Sequence, residues 1–542
     1  MKKHHNDGKQ AFLVFAGLMT SLLVYVLDST IVSTAMTAIT GELGGTQLYS
    51  WPFTAYMLTS TIVMPVCGML SDLRGHKRIL LVGLGVFLAG SVLCGLSRDM
   101  VTLIAFRAVQ GIGGGAICSS VFTAVADLFP PSKRGRYTGL VTSMYGVASI
   151  IGPMAGGFVT DLLGWRWVFL LNVPLGILAA ALVMVGLPKV MPADEGRTAG
   201  RRADVFGIAS LTAALVPLLL ALSMVGTYFE WLSIQFIGLV VTSAVLFALF
   251  GHIEARADDP VVPLSYLRDR TVGLSLAMGF LNQALMFVVI MYLPYFVQAV
   301  IGASATTSGV VVTPMMLALL LASNVAGQLV SRTGKCRLLS MGSFVLTAVG
   351  MLLLSRMSRD VSCVTVSLYA ALVGFAVGIN MPISNVNAQN AVGRERIGRV
   401  TSLAMFAKNM GRTVGSAAFG AVLTGSMSQG LAGLDMSQLP SSVQALVGNP
   451  ATLTSASAMD VLRAQVPAAY AQNLDEILRQ ANSILATSVT DVFAVAVIVA
   501  VVAALLMVFL GEASTSGGCE RQRAQAVVSR SDVGTGEATM RR

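Results

Sequence analysis

Residues 11–35 read AFLVFAGLMTSLLVYVLDSTIVSTA. As a helix rising about 1.5 Å per residue, this run is long enough to cross roughly 30 Å of hydrocarbon. The basic start, Met1-Lys2-Lys3, suggests a cleaved leader, but the apolar run is too long for a leader's core and contains Asp28, so a retained first span is expected. A charge inside such a run costs at least about 2.5–3.5 kcal/mol on insertion scales. The other residues among the 26 Asp and Glu are expected in loops, in tails or within about a turn of a span end. Asp28 is therefore the first candidate for a working group.

Comparable runs recur along the chain, at about 48–70, 79–97, 100–126, 138–162, 167–187, 205–225, 231–252, 272–296, 306–330, 338–356, 361–384, 400–425 and 488–510. They predict an all-α polytopic membrane protein of fourteen spans. Composition agrees: 55% of residues are hydrophobic, 11% are charged, and mean hydropathy is +0.76, which excludes a soluble domain of this size. The net charge of +10 does not indicate nucleic acid. With both termini placed in the cytoplasm, most of the 36 Lys and Arg fall in the tails and inner loops, as the positive-inside rule expects. Trp51, Trp165, Trp167 and Trp231 then all lie at the outer interface. The six cysteines show no metal-type or paired spacing and read as small buried apolar residues.

The chain repeats itself. Gly68-Met-Leu-Ser-Asp72-Leu-Arg-Gly75-His-Lys-Arg78 returns as Gly327-Gln-Leu-Val-Ser331-Arg-Thr-Gly334-Lys-Cys-Arg337, and Gly135-Arg136…Gly152 keeps the interval of Gly398-Arg399…Gly415. Spans 2 and 5 thus match spans 10 and 13. The expected organisation is an N-terminal six-helix bundle (1–187), a cytoplasmic linker (188–204), two inserted helices (205–252), and a C-terminal six-helix bundle (253–511) with a long outer loop at 426–487. A disordered cytoplasmic tail (512–542) follows. Paired repeats of this kind suit alternating access about a central site.

These motifs make the chain resemble the 14-spanner drug:proton antiporter branch of the major facilitator superfamily. Gly68–Arg78 is similar to the loop motif between spans 2 and 3, and Arg107-Ala-Val-Gln110-Gly111-Ile-Gly113 to the span 4 motif. Gly146-Val-Ala-Ser-Ile-Ile-Gly152-Pro153-Met-Ala-Gly156-Gly157 is similar to the antiporter motif of span 5. Leu27-Asp28-Ser-Thr30 and Trp165-Arg-Trp-Val-Phe-Leu-Leu-Asn172-Val-Pro174 resemble the branch's motifs of spans 1 and 6.

Depth places Asp28 and Arg107 together. Asp28 lies ~12 Å from a predicted outer end near Met36, and Arg107 lies ~10 Å below the same surface. The resemblance implies that Asp28 carries a proton and Arg107 modulates it; a static ion pair is the alternative. Gln110 and Gly111 belong to the same motif, and Gln110 fits either the polar seam or simple packing. In the family, the Gly146–Gly157 helix seals against proton leak, although its small faces are equally consistent with tight packing alone. The Asp72 loop is implied to latch helix ends in one state.

Cavity candidates, chosen as polar or aromatic residues within spans, are Tyr25, Trp51, Tyr56, Asn282, Gln283, Met286, Tyr292, Asn380, Asn385, Lys408 and Arg412. Lys408 and Arg412 lie one turn apart with no deep carboxylate in the C-terminal half to match them; because cationic-drug exporters of the family the chain resembles tend to carry extra membrane acids, the resemblance implies neutral or anionic amphipathic cargo. No phosphate-binding loop is present: Gly334-Lys335 lacks both the spacing and the hydroxyl, which excludes built-in ATP hydrolysis. No metal constellation appears, and protons are the only coupling species expected. The leading expectation is proton-coupled export of small amphipathic molecules across a bacterial cell membrane, with the bilayer as surroundings and a monomer sufficient. A dedicated exporter of a metabolite, amino acid, siderophore or lipid-like molecule is the alternative. A non-transporting sensor or enzyme on the same scaffold is a third reading, which the intact Asp28, Arg107 and Gly146–Gly157 set disfavours.

Overall fold

A computed structural model describes residues 2–45, 48–128, 131–186, 205–225, 229, 233–257, 269–333, 335–392, 397–434 and 471–509. The described regions are almost entirely helical: α1 (Lys2–Leu43), α2 (Trp51–Arg74), α3 (His76–Gly95), α4 (Met100–Leu128), α5 (Pro131–Leu163), α6 (Arg166–Leu170), α7 (Asn172–Gly186), α8 (Val205–Met224), α9 (Ile234–Glu254), α10 (Arg270–Tyr295), α11 (Ala305–Thr333), α12 (Cys336–Leu354), α13 (Cys363–Asn390), α14 (Ile397–Ala432) and α15 (Ala471–Met507). With α6 and α7 taken as one pass, 14 helices are present among the described residues. Eleven of them are long and apolar enough to cross a membrane by those two criteria. The expectations for 188–204, 435–470 and 512–542 lie outside the described residues.

Packing repeats as the sequence repeats. In the first set, α2 and α3 pack on α4, α1 packs on α5 and α7, and α3 packs on α7. The same pairings return as α11 and α12 on α13, α10 on α14 and α15, and α12 on α15. Glycines permit the closest of these approaches. A Cβ at Gly111 or Gly115 would collide with α2 backbone at Tyr56 or Ser60, and one at Gly374 or Gly378 with α11 backbone at Met315 or Leu319. The two sets meet where α2 packs on α14, α5 on α11 and α1 on α10. Helices α8 and α9 form a hairpin that touches the rest mainly through α8, leaving Ile234, Val241 and Val245 of α9 exposed, as a lipid-facing surface requires.

Sequence expectations about helix ends need correction. Helix α1 continues to Leu43, so Asp28 lies about four turns from its end rather than two. The sixth pass spans Arg166–Gly186 as expected, with a local interruption of its hydrogen bonding at Leu171. Pro174 supplies the reason: it has no amide to donate to Leu170, and its ring crowds that carbonyl. The outer loop is shorter than 426–487, because α14 runs to Ala432 and α15 begins at Ala471. Asp491 consequently lies about five turns into α15 instead of at a span end, where it accepts a hydrogen bond from Ser426 at 2.5 Å. Apolar periodicity fails at helix ends because polar residues continue a helix once it has left the hydrocarbon.

Candidate functional site

Asp28 and Arg107 are both fully buried and form an ion pair, Nη1 to Oδ2, of 2.7 Å. The other carboxylate oxygen accepts from Gln110 Nε2 and Asn172 Nδ2, each at 2.8 Å. Arg107 also donates to Gln110 Oε1 at 2.7 Å and to the Pro52 carbonyl at 3.4 Å. Its guanidinium carbon stands 4.1 Å from the centroid of the Tyr56 ring, a cation–π arrangement. Ser91 closes the network: it accepts from Gln110 at 3.1 Å and Asn172 at 2.9 Å, and donates to the Phe169 carbonyl at 2.8 Å. Five helices (α1, α2, α3, α4 and α7) therefore converge on one carboxylate.

Three donors are thus aimed at the two carboxylate oxygens. A proton arriving on Asp28 would remove the charge that balances Arg107 and turn one acceptor oxygen into a donor. The network would then have to rearrange. Sequence reasoning missed Asn172 and Ser91. Asn172 was legible as a polar residue two positions before Pro174 in an apolar pass; Ser91 had no signal, since serine is common in membrane helices.

Around this node, Tyr25 and Tyr56 stack with centroids 6.2 Å apart, and Tyr25 is linked to Ser60 at 3.5 Å. Trp51 opens α2 and is half-buried. Helix α5 is held on two sides. A Cβ at Gly152 or Gly156 would collide with Thr30 or Thr34 of α1, whereas one at Gly146 or Gly157 would collide with Leu320 or Ala305 of α11. Pro153 lies within the same helix, with its carbonyl against Gly309 of α11. Further contacts close the seam on the side of Leu43, Trp51, Leu163 and Ala305. Tyr49 donates to the Met291 carbonyl at 3.0 Å and Gln298 to the Thr34 carbonyl at 2.9 Å. Thr54 meets Ser416 at 3.1 Å, and Asp161 of α5 accepts the Ala305 and Thr306 amides at 3.2 and 2.8 Å, capping α11 from the opposite set. Tyr292 belongs to this seal, its ring 6.0 Å from Tyr49.

The remaining polar candidates collect in the second set. Lys408 Nζ donates to Asn385 Oδ1 at 2.9 Å and to the Met381 carbonyl at 3.5 Å. Asn282 donates to the Val377 carbonyl at 3.2 Å. Asn282 Oδ1, Gln283 Oε1 and both amide atoms of Asn380 are buried without a hydrogen-bond partner among the described residues. Met286 is buried on the same helix as Gln283, and Arg412 is half-buried. In the loop motif, Gly75 has φ 87° and its amide donates to Ser71, the left-handed turn that ends α2. Arg78 is exposed at the start of α3, and Gly68 lies within α2. The Asp72 side chain lies outside the described residues.

Comparison with known proteins follows this geometry. A family profile described as Major Facilitator Superfamily matches residues 18–416. Multidrug transporter protein MdtP of Bacillus subtilis (strain 168) is 34% identical over 524 residues, covering 94% of this chain and 95% of that one. Multidrug resistance protein 3 of the same organism is 34% identical over 511 residues, covering 93% and 96%. Among solved structures, a bacterial homologue of the human lysosomal transporter Spinster, inward-facing and unoccupied, superposes with TM-score 0.62 at 12% identity over 92% of this chain and 97% of that one. A D-xylose-proton symporter superposes with TM-score 0.59 at 14% identity over 93% and 99%. At such identities the structural likeness shows the fold alone.

Proposed function

The chain belongs to the Major Facilitator Superfamily and is a multi-pass membrane transporter rather than an enzyme; from that premise we propose that it is a proton-coupled exporter of amphipathic small molecules in a bacterial cell membrane, with both termini cytoplasmic. The observation that carries this reading is the buried Asp28 carboxylate, ringed by Arg107, Gln110 and Asn172. A charge so expensive to bury needs a reason beyond stability, because apolar residues of the same volume hold helices together as well or better. The names of the two Bacillus relatives support a multidrug cargo. The sealed side corresponds to the cell exterior in this reading, so cargo enters the central space from the cytoplasm. The two six-helix sets, 1–187 and 253–511, then rock about it.

Everted vesicles with an acid interior, given neutral, anionic and cationic amphiphiles, test the proposal. Accumulation that requires the pH difference and disappears in Asp28→Asn is expected. Accumulation by Asp28→Asn at the native rate overturns the coupling.

A further inference from the structure

The first set balances its buried charge internally; the second does not. Lys408 is only 7% exposed, and its partners are two neutral oxygens, the Asn385 amide and the Met381 carbonyl. Asp28 pairs with Arg107 and Glu42 with Arg166, whereas no carboxylate among the described residues pairs with Lys408. An ammonium so deep costs several kcal/mol unless something anionic compensates it.

Helical geometry shows where that compensation can come from. Asn409 and Thr413 of α14 touch α2, through Met64 and Thr61, while Gly411 and Gly415 press on Phe280 and Ala284 of α10. At about 100° per residue, Lys408 and Arg412 fall between those two faces, on the strip turned to the space enclosed by the two sets. Gln283 shares the space. Four positions on, Phe287 packs on Phe53 of α2 with centroids 6.0 Å apart; four positions back, Gly279 touches the Lys408 side chain. The Gln283 side chain is 3% exposed and its Oε1 has no partner. A buried cation on α14 and a buried orphan amide on α10, one turn beyond the glycine that touches it, form a polar cluster with no acid among the described residues.

We propose that Lys408, supported by Asn385 and Gln283 and flanked by Arg412, is the recognition point for the carboxylate of an acidic amphipathic cargo. This rests on the exporter reading and deepens it: cargo charge is read in the second set while Asp28 serves in the first. A carboxylate oxygen accepts from the ammonium, and the Gln283 amide can turn its NH₂ to the same group. A cationic cargo would meet the like charge of the Lys408 ammonium at this point.

The test is equilibrium binding to the full chain in lipid nanodiscs, with protein-free discs subtracted. Three fluorescent probes share one body: 1-pyrenebutyrate, its methyl ester, and the corresponding trimethylammonium compound. The acid should bind at least about tenfold more tightly than the ester and the cation weakest. Lys408→Met should erase the preference while keeping ester binding, which shows the variant is folded, and Lys408→Arg should restore it. Asp28→Asn should lose driven transport yet keep the acid preference, so failure of coupling and failure of cargo recognition are told apart. No saturable binding of the acid, a preference for the ester or cation, or an unchanged preference in Lys408→Met overturns the proposal.

Discussion

Replacing Asp28 by Asn tests the buried network most directly, and the structure sets the size of the effect. Three donors converge on the carboxylate, Arg107 on one oxygen and Gln110 with Asn172 on the other. An asparagine offers one acceptor oxygen. Turned to Gln110 and Asn172, it points its NH₂ at the guanidinium; turned to Arg107, it meets two amide donors head-on. In the better arrangement one charge-assisted bond is lost, about 1.5–3 kcal/mol. Arg107 is also left with no counter-ion at full burial, which brings the total to roughly 3–5 kcal/mol. At about 1.4 kcal/mol per tenfold, that is two to three and a half decades in the unfolding equilibrium. Unfolding in a denaturing-detergent titration can be followed with a thiol-reactive fluorogenic dye, because Cys94, Cys118 and Cys336 are buried and report loss of packing. A second variant, Arg107→Gln, should cost a similar amount. The double variant should cost at least ~1 kcal/mol less than the two added together, since neither charge is then stranded. Additive losses, or single variants as stable as the parent, would show that the pair is not energetically linked and would refute the role given to the network.

Three further outcomes are expected. Asn172→Ala removes one of the two donors to Asp28 Oδ1 and should lower stability by about 1.5–3 kcal/mol in the same titration, with a slower proton-driven flux. Asp161→Ala deprives α11 of the carboxylate that receives its first amides and should cost about 0.5–2 kcal/mol, whereas Asp161→Asn, which keeps an acceptor, should cost clearly less; equal losses would deny the capping role. Gly157→Leu places a side chain where the Ala305 backbone of α11 already lies. In an otherwise cysteine-free chain, disulfide formation between cysteines placed at Thr54 and Ser416, whose hydroxyls meet in the sealed seam, should fall several-fold in that variant. An unchanged yield would mean that α5 and α11 need not approach to close that side.

Much of this protein is set by local sequence. Apolar runs of membrane length dictate helices because a backbone in hydrocarbon must satisfy its hydrogen bonds within the segment, and that rule holds whatever the neighbours are. The unusual position of Asp28 and the glycines of α5 were legible for the same reason: a charge in a span and a row of missing side chains both stand out against an apolar background. Where helices end was less legible, as Leu43, Ala432 and Ala471 show, since polar sequence outside the bilayer can be helix or loop depending on what packs against it. Partnership belonged to the tertiary structure alone. Asn172 reaches Asp28 from 144 residues along the chain (172 − 28) and Ser91 joins the same network through Gln110 and Asn172, Asp161 caps a helix of the other set, and Lys408 meets no acid among the described residues. Which polar groups meet depends on the rotation and depth of whole helices against one another, and those are fixed by packing summed over many contacts that no single stretch of sequence encodes.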